Sequence, residues 1–339
     1  MTEYVSFDRS KKYSLILLGR AAVDLNPVDY NCPLNESTTF KRYLGGSPAN
    51  IAVGLARLGE KVGFIGKIAN DQFGTFLKDY FDKEGIDTSN LTRCPNGPRT
   101  GLTFTEIKSP TESSIMMYRI EAADLKLDTS DVDPEYIKQG AALLISGTAL
   151  SESPSREAAL KALFIAGREG IPVIFDIDYR PYSWKGPEEI AVYYSIVASH
   201  ADIILGSREE YDLTERFCGL DGTDAATAAY WHSKNAKIVI VKHGKEGSTA
   251  YTNDGKNYSV RPFPVKLLKS FGGGDGYASA FLYSIFNGKS IDDALEFGSA
   301  SAAMLVASHA CSEDMPTVGA VEKFIAEEKA LYGEMVARV

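Results

Sequence analysis

The feature that most constrains the fold is a rhythm. Short runs apolar at nearly every position, at 13–19, 61–65, 141–146, 172–176, 202–205 and 237–241, alternate with longer segments of helical periodicity. A strand that is apolar on both faces needs cover on both faces, and strands spaced by helices join as parallel crossovers. The expected architecture is α/β, with a mostly parallel sheet covered on both sides. Helices are expected at 48–58, 72–84, 155–168, 187–199, 208–217, 225–235, 275–287, 291–309 and 318–332. Two stretches break the rhythm. Residues 26–44 are polar and poor in helix formers, and residues 98–119 alternate in the manner of a hairpin. Both lie early in the chain, and together they read as a small inserted β lid over the strand ends.

Composition narrows the function classes. The 339 residues suit one large domain with an accessory element, or two modest ones. A net charge of −9 argues against a general binder of nucleic acid or anionic membrane. No apolar run reaches membrane-spanning length, and residues 1–12 are polar, without a signal-peptide core. Cys32, Cys94, Cys218 and Cys311 stand at no metal-like spacing, and the expectation is reduced thiols in a cytoplasmic protein.

Chemistry concentrates in Lys269-Ser270-Phe271-Gly272-Gly273-Gly274-Asp275, which runs straight into a helical segment. Glycines let peptide N–H groups turn toward an anion, and the helix N-terminus adds partial positive charge. An aspartate at that mouth is a poor anion ligand but a good proton acceptor, so the run points to phosphoryl transfer onto a hydroxyl. Gly45-Gly46-Ser47-Pro48-Ala49-Asn50 reads as a second helix start, with Ser47 as N-cap, Pro48 at the first helical position and Asn50 in the first turn. That start alone is only a well-made helix; paired with the later glycines it suits a polyol.

Further candidates follow strand ends, where open α/β sheets bind ligands. Asp24 suits two sugar hydroxyls or a solvated loop. Arg180, Arg119 and Arg20 are candidates for a carboxylate or phosphate, although any one such arginine is more often a surface residue. Glu210 suits Mg²⁺ held through water, or simply an acidic first helical turn. Lys242, Gly244 and Gly247, with Ser207, suit nucleotide phosphates, and a tight hairpin explains the same glycines. The small residues at 298–303 are the candidates for adenine. Neither a G-x-x-x-x-G-K-[ST] loop nor a strand-linked G-x-G-x-x-G is present, which disfavours a dehydrogenase.

The order of these pieces resembles the ribokinase-like (PfkB) family of carbohydrate kinases. Residues 45–50 and 269–275 look like its two signatures, and Ile65-Gly66-Lys67 through Asp71-Gln72-Phe73-Gly74 looks like the segment between them. The resemblance implies a single three-layer α/β/α domain over residues 1–339, with a lid from about 26–44 and 98–123. It implies Asp275 as catalytic base, Gly272, Gly273 and Gly274 as anion hole, and Asp24, Gly45, Gly46 and Asn50 around the sugar. It also implies ATP with Mg²⁺, leaves a monovalent cation open, and implies a homodimer through the lid. Glu210 matches the acid of the family's N-x-x-E motif, but Ser207 stands where asparagine is expected. Residues 19–25, 119–125 and 206–210 resemble the branch acting on 5-dehydro-2-deoxygluconate in inositol catabolism, and 176–181 the branch acting on 2-keto-3-deoxygluconate. Both are sugar acids, which gives Arg119 or Arg180 a carboxylate to hold. The rivals are a neutral-sugar kinase for fructose or ribose and a non-catalytic sugar-acid sensor.

Overall fold

Across the described residues, 4–338 of the computed structural model, strands and helices alternate as the rhythm predicts. In chain order they are β1 (Leu15–Leu18), β2 (Ala22–Pro27), β3 (Phe40–Gly45), α1 (Ser47–Arg57), β4 (Val62–Ile68), α2 (Gln72–Lys83), β5 (Asp87–Arg93), β6 (Leu102–Ser109), β7 (Glu112–Tyr118) and α3 (Pro134–Ile137). There follow β8 (Leu143–Ser146), α4 (Ser155–Arg168), β9 (Val173–Asp176), α5 (Pro187–Ala198), β10 (Ile203–Ser207), α6 (Arg208–Thr214) and α7 (Asp224–Lys234). The chain then continues through β11 (Ile238–Lys242), β12 (Ser248–Thr252), β13 (Asn257–Val260), α8 (Gly273–Phe286), α9 (Ile291–Val306), α10 (Val318–Tyr332) and β14 (Val336–Arg338).

One sheet has ten strands in the order β14-β13-β12-β11-β10-β9-β8-β1-β4-β5. Pairing is parallel from β11 through β10, β9, β8, β1 and β4 to β5, and antiparallel from β11 to β14. Alternate residues of the central strands enter two separate cores. Leu15, Leu17, Ile203, Leu205, Ile238 and Ile240 pack with α1, α2, α8 and α9. Ile16, Leu18, Ile204, Val239 and Val241 pack with α4, α5 and α7. This division is why these strands are apolar at every position: each side chain has a helix layer to meet.

A second sheet, in the order β3-β2-β6-β7, is formed by strands that pair β2 with β3 and β6 with β7 antiparallel, and β2 with β6 parallel. It leans on the loops around the main sheet. Asn26 Nδ2 donates to His309 O at 3.0 Å, Tyr43 Oη and His309 Nδ1 share a 2.6 Å hydrogen bond, and Ser312 Oγ donates to Leu44 O at 2.9 Å. On β7, Tyr182 Oη donates to Ile115 O, and Ser113 Oγ accepts from Ser270 N at 3.4 Å.

Three local outcomes differ from expectation. No strand is expected at β5, whose Asp-Thr-Ser-Asn-Leu-Thr-Arg buries only Asn90 and Leu91; it is an edge strand held by pairing to β4 rather than by two apolar faces. The ninth expected helix reaches 309, but α9 stops at Val306, whose carbonyl accepts from Leu268 N and Lys269 N instead. Ser47 is not the N-cap of α1; Gly46 is, at φ 99°, which frees the Ser47 hydroxyl for the site.

Candidate active site

Strand order reverses beside β1: the chain proceeds to β4 and β5 on one side, and to β8, β9, β10 and β11 on the other. Open parallel sheets bind ligands at the carboxyl ends of strands at such a point. Arg20 follows β1, Asp176 and Asp178 lie at and after the end of β9, Ser207 ends β10 and Lys242 ends β11.

Two helices begin in the crevice. Both α1 and α8 have a glycine N-cap, Gly46 at φ 99° and Gly272 at φ 86°, and neither N-cap makes a side-chain cap hydrogen bond. By contrast α2, α6, α7 and α9 are capped by Asp71, Ser207, Thr223 and Ser290. First-turn N–H groups without a side-chain acceptor leave α1 and α8 able to receive an anion. Close packing brings them together: a Cβ on Gly54 of α1 would lie 2.4 Å from Ser279 Oγ of α8. As a result Asn50 Nδ2 donates to Asp275 Oδ2 at 2.7 Å, joining side chains 225 residues apart. The two glycine-rich motifs of the sequence therefore form one site.

The glycines are required by their neighbours. A Cβ at Gly45 would lie 2.1 Å from Asp24 Cγ, and one at Gly46 would lie 2.3 Å from Arg20 O. At Gly272 a Cβ would lie 2.4 Å from Cys311 Sγ and at Gly273 2.9 Å from Val306 Cγ1, whereas Gly274 meets only Lys242 Nζ, at 3.9 Å. The run is thus closed beneath and open toward an ammonium. Gly244 and Gly247, both at positive φ, shape the turn after β11, and a Cβ at Gly247 would lie 2.0 Å from Val260 O.

Acids crowd this crevice. Burial, with help from Asp178, pushes Asp275 up to about 6, against the Asn50 hydrogen bond. Burial pushes Asp176 up to about 7, and Asp178, Glu210 and Asp275 add to the shift while Lys242 opposes it. Ser47 Oγ donates to Asp176 Oδ2 at 2.8 Å. Asp24 is raised by burial, with Arg20 opposing. Asp178 is held at φ 40° with an Arg180 Nη2 contact of 2.7 Å, a strained backbone that a paired carboxylate sustains. Burial works against the charge of Lys242, yet Glu210, Asp176, Asp275 and Asp178 outweigh it and raise its pKa.

The three arginines separate. Arg119 is committed within the protein: its Nε donates to Asp124 Oδ2 at 2.8 Å, Nη1 to Ser151 Oγ and Ser183 Oγ, and Nη2 to Thr148 O, with an Nη2–Oδ2 ion pair of 2.7 Å. A guanidinium has five N–H donors, and these contacts occupy them. As placed here, Arg119 has no free donor to offer the substrate carboxylate expected of it. Arg180 pairs with Asp178 and donates Nη1 to Tyr179 O, with its side chain one-third exposed. Arg20 is 4% exposed, donates Nη2 to Thr103 Oγ1 at 2.6 Å, and leaves its Nε without a partner. Among the described residues it has no ion pair within 4 Å; burial, then the nearby Arg119, lowers its pKa, and Asp24, Asp124 and Asp178 oppose from farther away. Asp24 and Arg20 face each other electrostatically, and a motif reading that stops at Asp24 undervalues the arginine four residues before it.

Glu210 and Ser207 form a reciprocal capping box at the start of α6. Ser207 Oγ accepts from Glu210 N, Glu210 Oε2 accepts from Ser207 N at 2.6 Å, and Oε1 accepts from Tyr179 N at 2.8 Å. The serine found in place of the family's asparagine is thus a working N-cap. Gly298 and Ser301, expected near adenine, instead pack α9 on α8: a Cβ at Gly298 would lie 3.2 Å from Tyr277 O, and Ser301 Oγ would lie 3.2 Å from one at Gly276. That face of α9 is filled by its neighbour.

Comparison with known proteins places this geometry. The profile of the pfkB family carbohydrate kinases matches residues 12–318. A 5-dehydro-2-deoxygluconokinase of Clostridium beijerinckii is 64% identical over 337 residues, covering 99% of each chain. Among solved structures, a fructokinase of Xylella fastidiosa with bound ATP is 26% identical at a TM-score of 0.82, covering 94% of this chain and 99% of that one. A double-mutant fructokinase of Vibrio cholerae, with fructose, ADP and potassium ion bound, is 26% identical at a TM-score of 0.79, covering 94% of this chain and 100% of that one.

Proposed function

The chain belongs to the pfkB family of carbohydrate kinases, and from that premise we propose that it transfers the γ-phosphoryl group of ATP to the primary hydroxyl of 5-dehydro-2-deoxygluconate. The observation that carries the reading is the 2.7 Å Asn50–Asp275 hydrogen bond, which sets a buried carboxylate of raised pKa between a polyol motif and a glycine cradle. The choice of sugar acid rests on the Clostridium beijerinckii relative, alike over almost its whole length.

In this reading Asn50 and Asp24 hold sugar hydroxyls, with Gly45 and Gly46 allowing close approach. Asp275 accepts the hydroxyl proton as the oxygen attacks, and a base near neutrality is well matched to that task. The N–H groups of Gly272, Gly273 and Gly274 and the Lys242 ammonium receive the transferring phosphoryl, the step in which charge stabilisation dominates. Lys242, Gly244, Gly247 and Ser207 line the nucleotide side. Arg20, with its unpartnered Nε, and Arg180 take the substrate carboxylate in place of Arg119. Among the described residues no three acidic, histidine or cysteine side chains gather as for a protein-held metal, which fits Mg²⁺ arriving on ATP with its waters. Mg²⁺ bound with ATP would neutralise phosphate charge, and Glu210 would act on it through water. The family resemblance leaves a monovalent cation open, and the Vibrio cholerae fructokinase is one relative with potassium ion bound.

Residues 26–44 and 98–123 act as the lid of a single domain over residues 1–339 and exclude water when substrate is bound. The outer face of the lid carries Met116, Tyr118 and Ile120, all exposed, with Phe104 edge-on to both Phe40 and Tyr118. This apolar patch supports a homodimer through the lid; Tyr118→Glu yields a monomer by sedimentation if it does. The proposed setting is the cytoplasm, and no helix among the described residues is long and apolar enough to cross a membrane.

The test is ADP release measured with 5-dehydro-2-deoxygluconate, 2-keto-3-deoxygluconate and fructose. The highest kcat/KM is expected for the first. A preference for fructose overturns the carboxylate assignment, and binding of a sugar acid without ADP release identifies a sensor.

A further inference from the structure

Lys269, at the head of the glycine run, is wholly buried. Among the described residues it has no carboxylate within ion-pair distance; its Nζ donates instead to two backbone carbonyls, Leu305 O at 2.7 Å and Ala310 O at 3.3 Å. The same two carbonyls accept from Ser308 Oγ, at 3.0 and 3.2 Å. The Phe271 ring lies over the ammonium, 5.3 Å from ring centroid to Nζ. A Cβ on Gly272 would lie 3.6 Å from that Nζ, so the charge sits directly behind the first glycine of the cradle.

This is an unusual place for a lysine. A buried ammonium without a counter-ion is costly, and burial indeed lowers its pKa, with Cys311, Asp314 and Asp275 opposing. What offsets the cost is a cage of carbonyl dipoles at the end of α9, where the helix macrodipole is negative. Carbonyl cages of this kind are also what strips and holds a small monovalent cation. An ammonium carried on a four-carbon stem supplies the same charge without leaving the protein.

We propose that Lys269 is a built-in monovalent cation for the phosphoryl cradle. Its ammonium ties the chain ahead of Gly272 to the carbonyls of Leu305 and Ala310, and it occupies the position that free K⁺ or NH₄⁺ would otherwise take between them. The proposal rests on the reading of Gly272–Gly274 as the phosphoryl cradle. Lys269 touches no reacting atom in this scheme; it is a positioning residue that also adds positive field behind the cradle. The kinase accordingly needs no monovalent salt.

Turnover and melting temperature are measured in tetramethylammonium, K⁺ and NH₄⁺ chlorides at matched ionic strength. For the unmodified protein both readouts are expected to be the same in all three salts. Lys269→Met, which keeps the stem, is expected to lose about 10- to 100-fold in kcat with the KM for the sugar acid little changed, as for a displaced positioning group. Lys269→Ala opens room for an ion, so K⁺ or NH₄⁺ is expected to raise its melting temperature and recover part of its kcat, by binding the folded state alone. Activation of the unmodified kinase by K⁺, full turnover of Lys269→Met in tetramethylammonium, or no response of Lys269→Ala to K⁺ or NH₄⁺ would each overturn the proposal. If neither variant folds, the salt comparison on the unmodified kinase decides. Absence of ADP with every sugar acid would instead count against the proposed function, and the melting measurements would still judge Lys269.

Discussion

Two lysines flank the glycine run, and they are built in opposite ways. Lys242 lies on the open side of Gly274, and four acids outweigh burial to raise its pKa. Lys269 lies behind Gly272 among neutral carbonyls, and burial lowers its pKa. In the proposed mechanism the first is a working cation, kept charged by its carboxylates and able to meet an incoming phosphate. The second is part of the frame, satisfied before any ligand arrives. The same residue type thus serves as ligand or as scaffold according to whether its partners are charges or dipoles.

The contrast can be broken from several sides. The largest effect belongs to Asp275, which Lys242 faces: Asp275→Asn is expected to lower kcat by roughly 10²–10⁴-fold with ATP binding kept, the usual range for a general base. Next is Lys242→Met, with kcat lower by about 10²-fold and no recovery by added K⁺, since a cation at developing phosphoryl charge is a direct stabiliser. A salt response in this variant like that expected of Lys269→Ala would erase the distinction between the two lysines.

Arg20→Met comes third. Its KM for the sugar acid is expected to rise by about 10- to 100-fold with fructose unaffected, the worth of a charge-assisted hydrogen bond. Equal losses on both substrates would place Arg20 in the scaffold with Arg119.

The pH dependence follows from Asp275. Its base form is present above about 6, so kcat/KM should fall about tenfold per pH unit below that point. Stability moves the other way. A carboxylate whose folded pKa is raised binds its proton more tightly when folded, so it favours the folded state at low pH. That contribution is lost as pH rises from the ordinary carboxylate value of 3.8 through about 6. Melting curves of Asp275→Asn should lack this loss; a variant that tracks the parent protein would locate the acid limb elsewhere.

The smallest catalytic effect is expected for Arg119→Ala. KM should change less than about threefold, while stability falls by about 3–5 kcal/mol because Asp124 is left buried and unpaired. A large KM change with an unaltered melting temperature would restore Arg119 to the substrate.

Much of this was legible in the residues. Strands such as β1 and β11 are apolar on both faces because both faces are covered, and pattern alone shows that. The two glycine runs declare helix starts that admit an anion. β5 was not legible, because an edge strand takes its stability from a neighbour's backbone and shows little of its own periodicity. The partners of Ser47 and Arg119 were not legible for a related reason: a hydroxyl or guanidinium has several possible partners, and only the fold decides which is near.

What the sequence by itself determined is the layered α/β fold and the kind of chemistry, since both rest on local properties: side-chain period, glycine at positive φ, an acid at a helix mouth. Tertiary structure alone decided which charges meet. It set Asn50 against Asp275, gave Arg119 to Asp124, left Arg20 Nε without a hydrogen-bond partner among the described residues, and enclosed Lys269 in carbonyls. Electrostatic roles depend on distance and burial between residues far apart in the chain, and no stretch of sequence carries either quantity.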